Sequence, residues 1–280
     1  MGLITGLEKF GFGKSQDFSD ITLKSTGDAS GADGNAPKAE PTERDFLMDK
    51  NVVCPVCDRK FKILAVRGTK LRRLDPDPDL RPRYAYVDVL KYDTIVCPNC
   101  GYAAMTNYYD PISHNQIKRL KEQVMARFRP LGPSEKPDYT YEEAIERYKL
   151  CLMSAMVKNV RLSEKAYICL KAAWLYRDLI ADLSKNDPQN TEKIEDCKEQ
   201  FDAFYKQAYE GFSQALRSES TPMCGMKADT VEYLLANMAV YFDERDTALR
   251  YLSSLIISKQ VPERLKNKCR DLKEQLLAKD

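Results

Sequence analysis

Residues 52–57 read Val-Val-Cys-Pro-Val-Cys, and residues 95–101 read Ile-Val-Cys-Pro-Asn-Cys-Gly. These stretches decide the fold, because two residues between cysteines let both sulfurs of a tight turn face one metal ion. Proline fixes φ within each turn, and Gly101 can adopt the positive φ that such a turn tends to need. An apolar pair precedes each turn, as in a zinc ribbon. The spacing predicts one tetrahedral zinc ion, bound by Cys54, Cys57, Cys97 and Cys100.

This zinc ion is expected to be structural, because four protein thiolates leave no open position for water or substrate. The 39 residues between Cys57 and Cys97 exceed the usual ribbon spacing of about 15 to 20. A long gap is tolerable, since loop-closure entropy grows only logarithmically with length. A thiol-redox or metal-sensing protein is an alternative, because Cys-Pro-x-Cys also occurs in oxidoreductases. There the first thiol begins a long helix, whereas residues 58–63 here alternate like a strand.

The composition argues against several functional classes. The chain has 280 residues and a net charge of +2, so no global field attracts nucleic acid or an anionic membrane. We find neither an apolar run of about 18 residues nor a secretory signal, so no membrane association is expected and the predicted location is cytoplasmic. The single histidine, His114, makes a Ser-His-Asp triad improbable. Without a complete catalytic constellation, we expect a protein that is not an enzyme.

The distribution of proline divides the chain. Eleven of its fourteen prolines precede residue 138, so the first half should be rich in turns and the second half helical. The prediction is a flexible acidic Gly-rich tail over 1–44, a zinc-ribbon-like module over 45–112 and a helical repeat-like domain over 113–280. The predicted fold class is therefore α+β, with a small zinc-ribbon-like β module followed by an all-α, tetratricopeptide-like domain.

Local patterns predict the individual elements. Runs of β-branched and aromatic residues favour strands over 52–53, 61–66, 84–89 and 94–96. Ser113 with Gln116, and Thr140 with Glu143, have capping-box spacing, and Asp229 with Glu232 is similar. The predicted helices are 113–128, 140–157, 162–183, 188–218, 228–242, 245–258 and 261–279.

A weak repeat is visible in the helical half. A small, a large and then a small or medium residue recur with one spacing, which is typical of the second helix of a tetratricopeptide unit. The copies are Ala144-Tyr148-Cys151, Ala208-Phe212-Ala215 and Ala248-Leu252-Leu255. Their intervals of 64 and 40 residues require lengthened or irregular helices. A plain helical bundle would show much of the same pattern.

A basic group precedes Tyr84 and Tyr86, and arginines beside aromatic rings can contact phosphates and bases. The candidate nucleic-acid or anion contacts are Arg72, Arg73, Arg81 and Arg83. However, alternating aspartates at 75, 77 and 79 interleave with them, and the module's net charge with zinc is about +1. A solvated or intramolecularly paired surface is therefore favoured, with residues 75–79 as a stiff, solvated acidic turn.

Three segments resemble a bacterial family catalogued as domain of unknown function 2225. They are Cys54-Pro55-Val56-Cys57-x-x-x-Phe61, Val96-Cys97-Pro98-Asn99-Cys100-Gly101-Tyr102-Ala103-Ala104 and Ala172-Ala173-Trp174-Leu175-Tyr176-Arg177. The resemblance covers about residues 48 to 270. It implies a bacterial cytoplasmic protein with paired metal-binding knuckles and a tetratricopeptide-like helical portion, and it implies no activity.

These observations predict a non-enzymatic, zinc-binding scaffold or adaptor. Stacked helix pairs offer a groove that can hold a protein or peptide partner. A nucleic-acid-associated zinc-ribbon factor is the first alternative and is possible but not favoured. A thiol-redox or metal-sensing protein is the second.

Overall fold

The computed structural model describes residues 41–129 and 137–278. Within these ranges, two antiparallel hairpins precede seven α-helices, which confirms the predicted α+β fold class. Most of the predicted tail, residues 1–40, lies outside the described residues. The last four residues of the predicted tail, 41–44, are described. Among them Glu43 accepts a hydrogen bond of 2.6 Å from Lys91 Nζ, so residue 43 packs against the folded protein.

The cysteine pairs lie between paired strands. Strand β1 (Leu47–Val53) pairs with β2 (Lys60–Val66), and β3 (Thr94–Val96) pairs with β4 (Ala103–Met105). The strands predicted over 52–53, 61–66 and 94–96 are confirmed. Strand β4 was not predicted, because Ala103-Ala104-Met105 has no β-branched or aromatic residue.

The strand predicted over 84–89 is wrong. Tyr84 forms an isolated bridge with Arg73, and Tyr86 then adopts a φ of 66°. That backbone conformation turns the chain out of an extended course. The segment belongs to a long connection, residues 67–93, which we call the inserted loop and which packs against the third helix.

The helices begin and end close to their predicted bounds. The first, α1 (His114–Leu120), continues into a wider π-helical turn at Lys121–Met125. The other six each lie within three residues of the prediction. They are α2 (Tyr141–Lys158), α3 (Leu162–Asn186), α4 (Thr191–Ser218), α5 (Ala228–Tyr241), α6 (Arg245–Ile257) and α7 (Glu263–Leu277).

Two of the three predicted capping boxes are confirmed. The Ser113 hydroxyl accepts from the Gln116 amide, and Thr140 does the same for Glu143. The third prediction is wrong, because α5 begins at Ala228 and Asp229 lies inside its first turn. There Asp229 accepts a hydrogen bond of 2.7 Å from the Thr230 amide.

The repeated small-large-small positions all lie in the core. The members of the three triplets in α2, α4 and α6 are at most 2% exposed. Helices α3 and α4 span 25 and 28 residues, which accounts for the long interval between the first two copies. The spacing therefore marks the buried face of every second helix.

The second hairpin is part of the helical core. Val96, Ala103 and Met105 belong to the same hydrophobic cluster as the buried residues of α2 and α3. The Ala103 amide also donates to Ser154 Oγ of α2 at 3.2 Å. Packing therefore crosses residue 112, where the sequence placed a boundary between module and helical domain.

Candidate metal centre

The two cysteine pairs lie in turns of the same geometry. In the first knuckle, residues 54–58, the Cys54 amide donates to Arg59 O at 3.0 Å and the Asp58 amide to Cys54 O at 2.8 Å. The second knuckle, residues 97–101, repeats this with Cys97 to Tyr102 O at 2.9 Å and Gly101 to Cys97 O at 3.0 Å. Each knuckle ends on a positive φ, 59° at Asp58 and 74° at Gly101.

The knuckles bring four sulfurs to one point. Cys54 Sγ lies 3.6 Å from Cys100 Sγ, and Cys57 Sγ lies 3.6 Å from Cys97 Sγ. All four ligand atoms lie within 4.8 Å of one another. Bonds of about 2.3 Å to a central zinc ion would place tetrahedral sulfurs about 3.8 Å apart. The four sulfurs therefore fit a four-thiolate metal site, and the predicted ligands converge.

The site is enclosed by protein. Cys54 and Cys97 are fully buried, Cys100 is 1% exposed, and Cys57 is half-buried. Tyr102 and Tyr109 stack beside the cluster, with ring centroids 4.9 Å apart, and the Tyr102 hydroxyl donates to Tyr109 O at 2.8 Å. Apolar side chains around thiolates restrict the access of water and competing ligands.

Two N–H groups lie near the sulfurs. The Val56 amide lies 3.4 Å from Cys54 Sγ, and Asn99 Nδ2 lies 3.9 Å from Cys97 Sγ. The Tyr109 hydroxyl is buried without a conventional hydrogen-bond partner, and burial together with the neighbouring Cys54 raises the pKa of Tyr109. The hydroxyl therefore remains protonated at neutral pH and can donate to the Cys54 thiolate of a metal-bound cluster.

The titration of the sulfurs reflects their proximity. Hydrogen bonds from Cys100, and then from Cys54, lower the pKa of Cys97 to about 3. The hydrogen bond with Cys54, and then the one with Cys97, raise the pKa of Cys100. Four thiolates this close repel one another unless a cation shares their charge, which is the condition that a metal ion satisfies.

The remaining five cysteines lie apart from the cluster. Burial raises the pKa of Cys151 and of Cys169 to about 12. Burial also raises the pKa of Cys269 to about 11 and those of Cys197 and Cys224. These thiols are therefore protonated at neutral pH and have the character of core fillers rather than of nucleophiles.

Two of the four candidate anion-contacting arginines are used inside the molecule. Arg81 is fully buried, and its guanidinium donates to Asp88 at 2.6 Å, to Trp174 O at 2.7 Å and to Asp178. Arg83 donates to Asp178 at 2.7 Å and to Asp77 at 2.8 Å. Arg81 therefore cannot reach an external phosphate. Arg72 and Arg73 are exposed.

The acidic turn at 75–79 is not solvated as the sequence suggested. Asp79 is 6% exposed and accepts from Trp174 Nε1 at 2.6 Å and from Arg177 at 2.7 Å. Asp77 accepts from Arg177 at 2.7 Å. Burial of a carboxylate is favourable only with such partners, and here α3 supplies them. The alternation of aspartate, proline and arginine thus encodes an internal ion-pair network that fastens the inserted loop to α3.

Sequence comparison assigns the chain to a protein family. A family model described as "Uncharacterized protein conserved in bacteria", domain of unknown function 2225, matches residues 47–276. No curated protein and no solved structure matches the chain. In the described ranges, no helix is both long enough and apolar enough to cross a membrane. Because the family match runs from the start of β1 almost to the end of α7, the protein belongs to this bacterial family.

Proposed function

We propose that the protein is a non-enzymatic scaffold, stabilised by one structural zinc ion, whose helices bind a protein or peptide partner. The observation that carries the zinc assignment is the convergence of four cysteine sulfurs, three of them in buried residues, since thiolates favour zinc and fill every position of its tetrahedron. Four protein ligands leave no site for a substrate on the metal. Reduced thiols also require a reducing compartment, which favours the cytoplasm.

The proposed binding surface is a groove between α2, α3 and α4. Its cavity of about 520 Å³ is lined mainly by apolar side chains, among them Leu152, Met156, Leu162 and Phe204. Met156 is 60% exposed at the edge of this groove. A groove of this volume and lining suits the apolar face of a partner helix or an extended peptide.

Metal content tests the first half of the proposal. Purified protein should carry one zinc ion per chain, and cobalt(II) substitution should give the strong visible absorption of a tetrahedral thiolate complex. Cys100→Ser should lose the metal, whereas Cys224→Ser, outside the cluster, should keep it. Wild-type protein without zinc, or with an iron–sulfur chromophore, would contradict the assignment.

Partner capture tests the second half. We would recover partners from a lysate of the native bacterium, with and without nuclease treatment, using wild type and Met156→Asp. The expected result is a protein that survives nuclease treatment and is lost with Met156→Asp. Leu74→Asp is the matched control, because Leu74 is 44% exposed on the inserted loop. Capture that nuclease abolishes would favour the nucleic-acid alternative instead.

A further inference from the structure

A second cavity lies on an adjoining face of α4. Phe201, Tyr205 and Tyr209 occupy successive turns of this helix, and Tyr241 and Phe242 approach them from the end of α5. The Tyr209 and Phe242 rings stack with centroids 5.7 Å apart, whereas Tyr241 stands perpendicular to Phe242 at 5.1 Å. Of these five rings, those of Tyr209, Tyr241 and Phe242 line a cavity of about 570 Å³, which we call the aromatic cavity.

The rim of the aromatic cavity is acidic. Asp202, Glu210 and Glu244 line it, against one cation, Lys206, so the lining carries a net charge of −2. All four of these side chains belong to exposed residues. A concave surface with aromatic walls and an excess of carboxylates attracts cations, since ring faces and carboxylates both present negative potential.

Hydrogen bonds fix the tyrosines of this cavity. The Tyr209 hydroxyl donates to Glu244 Oε2 at 2.6 Å, and the Tyr241 hydroxyl donates to Asp202. Burial and then Asp202 raise the pKa of Tyr241 to about 12, so the phenol stays a donor. These hydrogen bonds therefore hold the rings and the carboxylates in fixed positions before a ligand binds, which lowers the entropic cost of binding.

Cation–π contacts occur at several rings in the described part of the chain. Lysine and arginine side chains lie over these rings, for example Arg147 over Tyr139 at 3.9 Å and Lys171 over Tyr167 at 4.2 Å. Tyr241 remains 50% exposed. The protein thus uses cation–π contacts within its own fold, and the half-exposed ring of Tyr241 offers the same kind of contact to a cation outside the chain.

We propose that the aromatic cavity binds the ammonium or guanidinium group of a lysine or arginine in an extended segment of the protein partner. The inference rests on the proposed function, because it names the chemistry of that partner. The aromatic cavity shares Ala203 and Glu210 with the groove between α2, α3 and α4. One peptide lying across α4 could therefore place an apolar side chain in the groove and a cationic one in the aromatic cavity.

Fluorescence anisotropy tests this inference on the full, zinc-loaded chain. The probe is a fluorescein-labelled peptide of four Ala-Arg repeats, compared with four Ala-Glu repeats at the same ionic strength. The arginine peptide should bind and the glutamate peptide should not. Tyr241→Leu should weaken binding about two- to fivefold, the magnitude of an exposed cation–π contact. Asp202→Asn with Glu244→Gln should weaken it about tenfold.

Matched controls separate the cavity from general electrostatics. Tyr241→Phe keeps the ring but loses the hydrogen bond to Asp202, so it should bind less tightly than wild type and more tightly than Tyr241→Leu. Tyr86→Leu removes another exposed tyrosine, and Glu195→Gln removes a carboxylate elsewhere on α4; neither should change binding. Absence of arginine-peptide binding, or equal binding in the cavity variants and wild type, would overturn the inference.

The two proposals can fail separately. Suppose that the cavity variants bind the arginine peptide normally while Met156→Asp still loses the captured partner. The groove proposal is then supported, and the proposal that the aromatic cavity binds a cationic side chain is wrong. If Met156→Asp retains every captured protein while Tyr241→Leu weakens the peptide, the groove proposal fails and the aromatic cavity stands.

Discussion

The two cysteine hairpins contain turns of the same geometry but differ in how deeply their strands are buried. In both, the residue before the first cysteine pairs with the residue seven positions later, Val53 with Lys60 and Val96 with Ala103. All six residues of β3 and β4 are buried. In β1 and β2 only Leu47 and Ile63 are buried among fourteen residues. The second hairpin is a piece of the core, and the first lies largely on its surface.

This difference suggests what the proposed metal would do: it would attach the first hairpin to the core. The short second hairpin is held by packing against α2, with Val96, Ala103 and Met105 in the main core cluster. The first hairpin buries too little apolar surface to be stable alone, as is general for isolated hairpins. A small apolar cluster that includes Val56 and Ile63 holds it to the rest of the protein. Two further attachments add to this: the proposed shared metal and, through the inserted loop, the ion pairs on α3. The predictions below remove these attachments in turn.

The largest effect should follow from loss of the metal. Cys97→Ser should abolish stoichiometric metal binding and release the first hairpin, since a structural zinc contributes about 10 to 16 kcal/mol in zinc-finger peptides. Hydrogen exchange followed by mass spectrometry should show β1 and β2 exchanging as unfolded chain, while α3 and α4 stay protected. Cys224→Ser should leave the exchange pattern unchanged. If β1 and β2 stayed protected in the metal-free variant, the metal would not be what attaches the first hairpin to the core.

Removing the buried guanidinium should have the next largest effect. Arg81→Met leaves Asp88 and Asp178 buried without their shared partner, and burial already raises the pKa of Asp88. Loss of one partner from a buried ionic group costs about 3 to 5 kcal/mol. Urea unfolding of the zinc-loaded protein measures this change. The exposed Arg72→Met is the control, and an equal effect of both substitutions would show that the network does not hold the inserted loop.

What the sequence could predict was local. Each knuckle needs two cysteines, a proline and a positive φ within five residues, so the motif by itself specifies the turn. A capping box spans four residues and a small-large-small triplet spans eight. The sequence therefore also predicted where helices begin and which of their faces are buried. The ligand set of the metal centre was recognisable because cysteine pairs rarely repeat by chance in a reduced protein.

The attachment of the inserted loop could not be predicted in this way. Arg83 pairs with Asp178 across 95 residues, and Asp79 pairs with Trp174 at the same separation. Nothing near these residues in sequence distinguishes a solvated aspartate from one that α3 neutralises. The aromatic cavity was missed for the same reason, because Tyr241 and Phe242 meet the α4 tyrosines only after α4 and α5 pack.

The knuckles also differ at the residue that follows the second cysteine. Gly101 has a φ of 74°, and a Cβ there would overlap the ring of Phe128. Asp58 has a φ of 59° and is exposed. Gly101→Asp should therefore destabilise the protein by at least about 2 kcal/mol, whereas Asp58→Gly should change stability by less than about 1 kcal/mol. Thermal unfolding of both variants decides this, and similar effects at the two positions would mean that the knuckles are equivalent.

The smallest effect concerns the exposed edge of the ion-pair network. Burial acts to raise the pKa of Asp77, but its hydrogen bond to Arg83 and the charges of Arg83 and Arg177 outweigh burial and lower that pKa. A carboxyl whose folded pKa is lowered stabilises the fold fully above its unfolded pKa of 3.8, and this contribution disappears as pH falls through the folded value. Asp77→Asn should cost about 1 kcal/mol at pH 7, since the pairs are partly exposed.

The difference in unfolding free energy between wild type and Asp77→Asn should thus be constant from about pH 7 to 5 and shrink below about pH 4. Acid also protonates the cluster thiolates and releases metal, but this affects both proteins equally and cancels in the difference. Asp75→Asn, an exposed neighbour, should show no such dependence. A difference that changes between pH 7 and 5 would place its origin in another group. A difference of zero at pH 7 would show that the pairs of Asp77 with Arg83 and Arg177 add nothing to the attachment of the inserted loop.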